Sequence, residues 1–333
     1  MDGHIVIAPG SINVDLILRT DVHKGPKTFR GRYSESQGGK GSNQAIAARR
    51  AADDGRAVYL LGAVGQDTWG EQSLQALRDA DVDVRFIRSD GVSTGVVMEY
   101  LYADGEVTIG LEPGANDTVT VADVERARPV IEDAALLLGQ IETPIDTVQH
   151  AFVVARSAEV STCLDPSVVP PTEAGRRQLF EHILPLVDLI APNRSEAEEL
   201  TGIRVTDDGS ARSAAQCLLD HVPVVVLTRG ADGALVARGG DVDCVRGLEV
   251  NAIDGGAAGD TFRGALALAA AEAQQAHGPS LTELPFGALV EAVRFANAAA
   301  SICVTRAGAC PSIPVREEIF SQLAAAVPRK DPS

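Results

Sequence analysis

Short apolar runs at 4–8, 58–61, 135–138, 160–164, 187–190 and 224–227 recur along the chain, and most lead through a polar loop into a run of helical character. Uninterrupted apolar runs of this length suit strands buried on both faces, as in a parallel sheet covered by helices on each side. The helix-like runs at 44–52, 71–80, 146–156, 173–184, 210–219, 263–276 and 289–304 supply that cover. The alternation therefore predicts an α/β protein with a largely parallel sheet between helices. Two segments, at about 14–36 and 94–112, break the rhythm and read as antiparallel strands projecting from the main sheet, either a lid over a site or a surface hairpin. Open sheets bind ligands beyond the carboxyl ends of their strands, so chemistry is expected in the loops that follow them.

The 333 residues suffice for one large α/β domain or two moderate ones. A formal charge of −17 argues against nucleic acid and anionic membranes as partners, because phosphate backbones are held mainly through Lys and Arg. A small phosphorylated ligand would have to be met locally, by backbone dipoles, a few cations or a metal ion. No apolar stretch is expected to approach the roughly 20 residues that cross a bilayer, and Met1-Asp2-Gly3-His4 carries no basic run, so the protein is expected in the cytoplasm. The five cysteines, without a C-x-x-C pair or a histidine cluster, form neither a disulfide framework nor a zinc site and are expected as buried apolar residues.

The run Gly255-Gly256-Ala257-Ala258-Gly259-Asp260-Thr261-Phe262 lies between 250–253, which has the look of a strand end, and the helix-like run from 263. A small-residue turn at a helix start is an anion site, because the first N–H groups are unpaired and carry partial positive charge. Asp260 would stand where a phosphoryl group arrives and could take a proton from an attacking hydroxyl, although Asp there is also an ordinary N-cap. A second turn, Gly38-Gly39-Lys40-Gly41-Ser42-Asn43, fails the P-loop pattern because Gly41 follows Lys40, and Gln44 prevents a G-x-G-x-x-G. It suggests a backbone pressed against a ligand, with Asn43 as donor and acceptor, or a turn in which Ser42 or Asn43 caps the helix. Strand alternation puts Asn13 and Asp15 on one face, an amide and a carboxylate suited to adjacent sugar hydroxyls or to a solvated strand edge. Glu142 lies just past another buried strand. Asn193 and Glu196 have capping-box spacing and could equally serve magnesium through water. Thr228-Arg229-Gly230-Ala231-Asp232-Gly233 is a third strand-to-glycine turn, suited to nucleotide phosphates.

Together and in this order, these segments resemble the ribokinase family, also called the pfkB carbohydrate kinases. Residues 38–45 and 257–262 look like that family's two signatures, while 295–300 and 304–312 look like its ribose-phosphorylating members. The resemblance covers nearly the whole chain and implies one domain over 1–333, a three-layer α/β/α sandwich with a small β-sheet lid from about 14–36 and 94–112. The lid would close over the sugar and pair with a second subunit in a homodimer. The implied activity is ATP-dependent phosphorylation of the primary hydroxyl of D-ribose to D-ribose 5-phosphate. Carried over residue by residue, Asn13, Asp15, Gly39, Lys40, Gly41, Asn43 and Glu142 would hold the sugar, with Asp260 as general base. Backbone N–H groups of Ala257, Ala258 and Gly259 would stabilise the transferring group. Asn193, Thr228, Arg229, Gly230, Ala231, Asp232, Gly233, Gly259 and Asn297 would contact ATP, and Glu196 would help organise Mg²⁺ through water. Asp254, Gly256, Cys303, Arg306, Gly308 and Ser312 match the positions around a monovalent cation, K⁺. A kinase for another sugar, such as fructose or deoxyribose, or for a nucleoside is the alternative, though no aromatic stripe marks a base pocket. A non-catalytic sugar- or nucleotide-binding regulator is the other, and Asp260, Asn193 and Glu196 together argue against it. The chain departs from the family's pattern at Gly255-Gly256, where two threonines are usual, at Ala257 in place of glycine, and in the lid sequence Gly25-Pro26-Lys27-Thr28.

Overall fold

The computed structural model describes residues 3–53, 55–278 and 280–326, so Met1 and Asp2 lie outside the described residues. Strand β1 (Ile5–Ile7) leads into the hairpin β2 (Asn13–Arg19) and β3 (Arg32–Gly38), then into helix α1 (Lys40–Ala51). β4 (Val58–Gly65), α2 (Thr68–Asp79) and β5 (Asp83–Asp90) precede a second hairpin, β6 (Gly95–Leu101) and β7 (Val107–Glu112). The alternation continues through α3 (Val121–Glu132), β8 (Leu136–Gln140), α4 (Ile145–Ser157), β9 (Ser161–Asp165), α5 (Glu173–Gln178) and β10 (Leu189–Ile190). Two helices, α6 (Arg194–Thr201) and α7 (Asp208–Leu219), lead to β11 (Val224–Thr228) and the meander β12 (Ala234–Arg238) and β13 (Asp241–Val245). Helices α8 (Ala258–His277), α9 (Phe286–Cys303) and α10 (Arg316–Ala326) follow.

The main sheet has the order β13-β12-β11-β10-β9-β8-β1-β4-β5, parallel from β11 to β5, with β12 and β13 antiparallel at one edge. Side chains alternate between its faces. Ile5, Ile7, Leu136, Leu138, Val224 and Val226 enter a core shared with α1, α8 and α9. Val6, Leu137 and Val225 enter a second core with α3, α4 and α7. This is the expected three-layer sandwich. Strand order reverses at β1, which lies between β4 and β8, so the crevice for a ligand opens beyond the carboxyl ends of β1 and β8.

The two hairpins form a separate sheet, β3-β2-β6-β7. Each hairpin is antiparallel as expected, but β2 and β6 join in parallel, from Asn13 opposite Gly95 to Arg19 opposite Leu101. Other expectations also shift. The stretch 250–253 is not a strand: the N–H groups of Ile253 and Asp254 donate to the Val304 carbonyl beyond α9 (2.7 and 3.2 Å), so the approach to α8 is a loop tied to a helix end. The run 173–184 breaks after Gln178 into a wider turn over Leu179–Ile183. The apolar-run pattern misses β5, whose charges at Asp83, Arg85, Arg88 and Asp90 suit an edge strand. It also misses the β12–β13 hairpin around Gly239-Gly240, as well as α3 and α10. Helix α9 is 18 residues long and apolar enough to cross a bilayer, which the sequence reading overlooks; it is 67% buried, and its apolar residues pack in the first core.

Helices α1 and α8 lie side by side in that core, and Gly264 marks their close approach. A Cβ on Gly264 would stand 2.4 Å from the Gln44 carbonyl oxygen and 2.7 Å from the Ala47 Cβ, so any side chain must push the helices apart. Overpacking of this kind costs about 1–3 kcal/mol. Gly264→Ala is therefore expected to lower the thermal midpoint measured by circular dichroism by several degrees. Gly287→Ala in α9, where a Cβ meets nothing within 4 Å, should leave it unchanged or slightly raised.

Candidate active site

At the carboxyl ends of β1 and β8 a cavity of about 650 Å³ is lined by Asn13, Asp15, Gly39, Lys40, Asn43, Glu142, Ala257 and Asp260. Ile17, Val97, Leu101, Val107, Ile109 and Leu111 of the small sheet form its outer wall. The glycines before α1 allow a close approach of backbone to backbone. Gly39, at φ 90°, precedes the first helical residue, and a Cβ on it would lie 2.6 Å from the Asn13 nitrogen. One on Gly41 would lie 2.4 Å from Gly10 Cα. The backbone is pressed against the chain that follows β1; Gly39 lines the cavity, and Gly41 lies behind its wall. Neither Ser42 nor Asn43 caps the helix. The orphan N–H groups of Gly41 and Ser42 donate to Oγ and the carbonyl of Ser11 (3.4 and 3.1 Å). Ser11 Oγ donates in turn to Glu142 Oε2 (2.6 Å), and Lys40 Nζ lies 3.2 Å from Glu142 Oε1. Asn116 donates to Asn13 Oδ1 (2.8 Å), which fixes that side chain.

Asp260 is not a cap. Ala257, in the left-handed conformation at φ 58°, ends the loop, and Asp260 is the third residue of α8, still within the turn where the helix dipole favours a carboxylate. Asn43 Nδ2 donates to its Oδ2 (2.9 Å) and Gln44 Nε2 to its Oδ1 (3.2 Å). Burial pushes the Asp260 pKa above the usual carboxylate range; Asp165 adds to this, while Lys40, the Asn43 hydrogen bond and Arg263 offset part of it. Asp15 is pushed up to about 7, by burial first and then by Glu99, Asp260 and Glu142. For Lys40 burial favours the neutral form, but Glu142, Asp260 and Asp165 outweigh it and hold the ammonium charged. Lys40, held among acceptors, suits a ligand that donates several hydroxyls.

Across the start of α8, a second cavity of about 760 Å³ is lined by Asn193, Thr228, Arg229, Gly230, Ala231, Gly233, Ala258, Gly259, Arg263 and Asn297. Leu248, Val250, Phe262 and Val304 give it an apolar side. Asp232 is not on its wall but pairs with Arg194, and the Arg229 guanidinium pairs with Asp208. Asn297 Nδ2 donates to the carbonyls of Val245 and Arg246 (3.2 and 3.4 Å). Asn193 and Glu196 form a full capping box. Glu196 Oε2 accepts from the Asn193 N–H and from Arg263 Nη2, both at 2.8 Å, and Oε1 accepts from Asn193 Nδ2 (2.6 Å). Burial raises the Glu196 pKa to about 7 despite the guanidinium of Arg263. Arg263 also lies 3.1 Å from Asp165, which accepts from Gln44 (2.7 Å). Arg263, Gln44, Asp165 and Ser11 escape the sequence reading. A lone arginine in an Ala- and Leu-rich helix was the available signal for the first.

Of the residues expected around a monovalent cation, five form one hydrogen-bonded loop. Asp254 Oδ1 accepts from the Gly256 N–H (2.9 Å) and Oδ2 from the Gly308 N–H (3.2 Å). Cys303 Sγ lies 3.5 Å from the Gly256 carbonyl and 3.0 Å from Ser312 Oγ. The Arg306 side chain turns away to Glu318 (2.6 Å). Among the described residues no group of three or more His, Cys, Asp or Glu could hold a metal ion. All five cysteines are free; Cys163, Cys303 and Cys310 are buried as expected, whereas Cys217 and Cys244 are only partly so.

The Asp15 shift sets a sign for stability. Its pKa rises from 3.8 to about 7 on folding, so the folded protein binds the extra proton and loses stability as pH climbs through that window. Asp15→Asn is expected to raise the thermal midpoint relative to wild type at pH 8 by more than it does near pH 4; an equal offset at both would contradict the shift. At Ala257, glycine would relieve a left-handed penalty of roughly 1–2 kcal/mol against an entropic cost of about 0.5–1 kcal/mol. Ala257→Gly should therefore raise the urea midpoint.

Residues 5–316 match the profile of the pfkB family carbohydrate kinases. The chain is similar to the ribokinase of Haemophilus influenzae, at 35% identity over 318 residues, covering 94% of this chain and 96% of the relative. It is similar to that of Staphylococcus aureus at 33% identity, covering 94% and 98%. The structure of ribokinase from Giardia lamblia superposes with a TM-score of 0.88 at 29% identity, covering 98% of this chain and 99% of that one. Arabidopsis thaliana ribokinase complexed with ribose and ATP gives 0.78 at 25% identity, covering 97% and 99%. With matched sequence, matched fold and two cavities meeting at one helix start, this chain belongs to the pfkB family of carbohydrate kinases.

Proposed function

We propose that the protein transfers the γ-phosphoryl group of ATP to the primary hydroxyl of D-ribose, giving D-ribose 5-phosphate. The observation that carries this reading is the junction of the two cavities at the start of α8, with Asp260 facing one and Ala258 and Gly259 lining the other. The ribokinases among its relatives, one with ribose and ATP bound, support the choice of substrates. Asn13, Asp15, Lys40, Asn43 and Glu142 hold the sugar hydroxyls, while Gly39 and Gly41 set the backbone that presents them. Asp260 takes the proton of the attacking hydroxyl, a role its raised pKa suits. The N–H groups of Ala257, Ala258 and Gly259 meet charge developing on the transferring group. Asn193, the turn from Thr228 to Gly233, and Asn297 bound the nucleotide.

Magnesium would come with the phosphates, whose charge it neutralises when bound; Glu196 Oε1, with one donor, keeps a lone pair for a metal-bound water, whereas Oε2 already has two donors. Potassium would be held beside α8 by the Asp254 carboxylate, backbone oxygens of Gly256, Cys303, Arg306 and Gly308, and the Ser312 hydroxyl. Within a single domain over 1–333, the small sheet acts as a lid. Its outer face, with Tyr33 61% and Met98 46% exposed, is the surface on which a second copy would pair as a homodimer. A nucleoside is the second reading, favoured by the aliphatic wall that β2, β6 and β7 give the first cavity.

The test is a panel of ribose, deoxyribose, fructose and nucleosides with ATP and Mg²⁺, with potassium or sodium, in wild type and Asp260→Asn. Ribose should give the highest kcat/KM, potassium should exceed sodium, and the variant should lose at least about a hundredfold, the lower range for a general base. Turnover that survives Asp260→Asn would sink the mechanism, and a nucleoside preferred over ribose would move the substrate.

A further inference from the structure

Arg263 is 4% exposed, one turn into α8, with two of its three guanidinium nitrogens engaged. Nε donates to the Ala191 carbonyl (2.8 Å) with Asp165 at 3.1 Å, and Nη2 donates to Glu196 (2.8 Å). Among the described residues Nη1 has no hydrogen-bond partner. It lies beside Gly259, so close that a Cβ there would come within 2.9 Å of it, and both residues line the second cavity. Helical side chains lean toward the helix start, which carries the Arg263 guanidinium back over the turn at Gly259. Asp165 at the end of β9 and Glu196 in α6 then lock it. With its other two nitrogens held, the guanidinium presents Nη1 to the second cavity beside the anion turn, where a charge-assisted contact with an anion is available.

We propose that Arg263 is a further catalytic residue, whose Nη1 donates to an oxygen of the transferring phosphoryl group beside the N–H groups of Ala258 and Gly259. This rests on the kinase reading above. As the bond from the terminal phosphorus to the ADP oxygen breaks and the bond to the sugar oxygen forms, the hydroxyl proton passes to Asp260, and Arg263 stays protonated throughout. Asp165 and Glu196 balance its charge before the nucleotide enters and fix its orientation, so no rearrangement is needed when charge develops. A lysine cannot replace it, since a single ammonium cannot reach Ala191, Glu196 and the phosphate together.

Arg263→Lys keeps a cation between the two carboxylates but replaces the three-nitrogen fork with a single ammonium; Arg263→Met removes the cation as well. In the lysine variant kcat at saturating ribose and ATP is expected to fall about 100-fold, the scale for losing one oxyanion donor. Ribose KM and adenosine affinity, read by calorimetry, should stay within about twofold while ATP affinity weakens, a split that looser packing would not produce. A folded lysine variant with wild-type kcat overturns the proposal. If neither variant folds, a crystal structure of the wild-type protein with a non-hydrolysable ATP analogue decides. Nη1 should lie about 2.7–3.2 Å from a terminal-phosphate oxygen, and a separation beyond about 4 Å overturns the assignment. Should the wild type phosphorylate nothing in the panel, the kinase reading fails, while that distance still settles the Arg263 contact.

Discussion

The close approach of α1 to α8, with Gly264 against the Gln44 carbonyl, is what the site depends on. It brings two helix starts to one crevice and places the Gln44 side chain between three elements. Its Nε2 donates to Asp165 on β9 (2.7 Å) and Asp260 on α8 (3.2 Å), and its Oε1 accepts from Gln140 on β8 (2.7 Å). A buried polar network of this kind is stabilising only while nearly every member is satisfied, which makes its geometry hard to deform. Gln140 Oε1, buried and without a hydrogen-bond partner among the described residues, is its open end. The carboxylate proposed as the base is therefore positioned by the sheet and the neighbouring helix together, not by its own loop.

Acids outnumber cations around this network. Lys40 faces Asp15, Glu142 and Asp260, while Arg263 faces Asp165 and Glu196. Burial lifts Asp15 and Glu196 to about 7 each and raises Asp260. Such crowding costs stability and is the kind of arrangement that clusters at functional sites. It suits the first cavity to hydroxyl donors, and under the proposed function it would leave phosphates in the second to be met by helix N–H groups, Arg263 and any ions that arrive with the substrate.

What could be read from the sequence was whatever its residues decide locally. β1, β8, β9 and β11 announce themselves because parallel strands are apolar on both faces, whereas β5 at the sheet edge carries charge and does not. The small-residue run before Asp260 marks an anion turn, but whether Asp260 caps the helix or sits three residues inside it depends on the conformation of Ala257, which no pattern reveals. Gly39 and Gly41 signal a close approach without naming the partner, which is the backbone at Gly10 and Asn13. The contacts of Arg263 with Asp165 and Glu196 join residues far apart in the chain, and only the folded sheet brings them together.

The stretch before α8 distributes its small residues against its own geometry. Gly255 and Gly256 do not adopt positive φ; a Cβ on Gly255 would meet nothing within 4 Å, and one on Gly256 only the Asp254 carboxylate, at 3.3 Å. Side chains would fit there. Ala257, by contrast, occupies the left-handed region where glycine is easy and alanine is strained. The two departures act in opposite directions. The glycine pair loosens the loop that would hold a monovalent cation, while alanine at φ 58° restricts the residue from which the N–H groups of Ala258 and Gly259 are aimed. Rigidity is thus moved one residue toward the helix, to the turn at which the proposed phosphoryl transfer would take place.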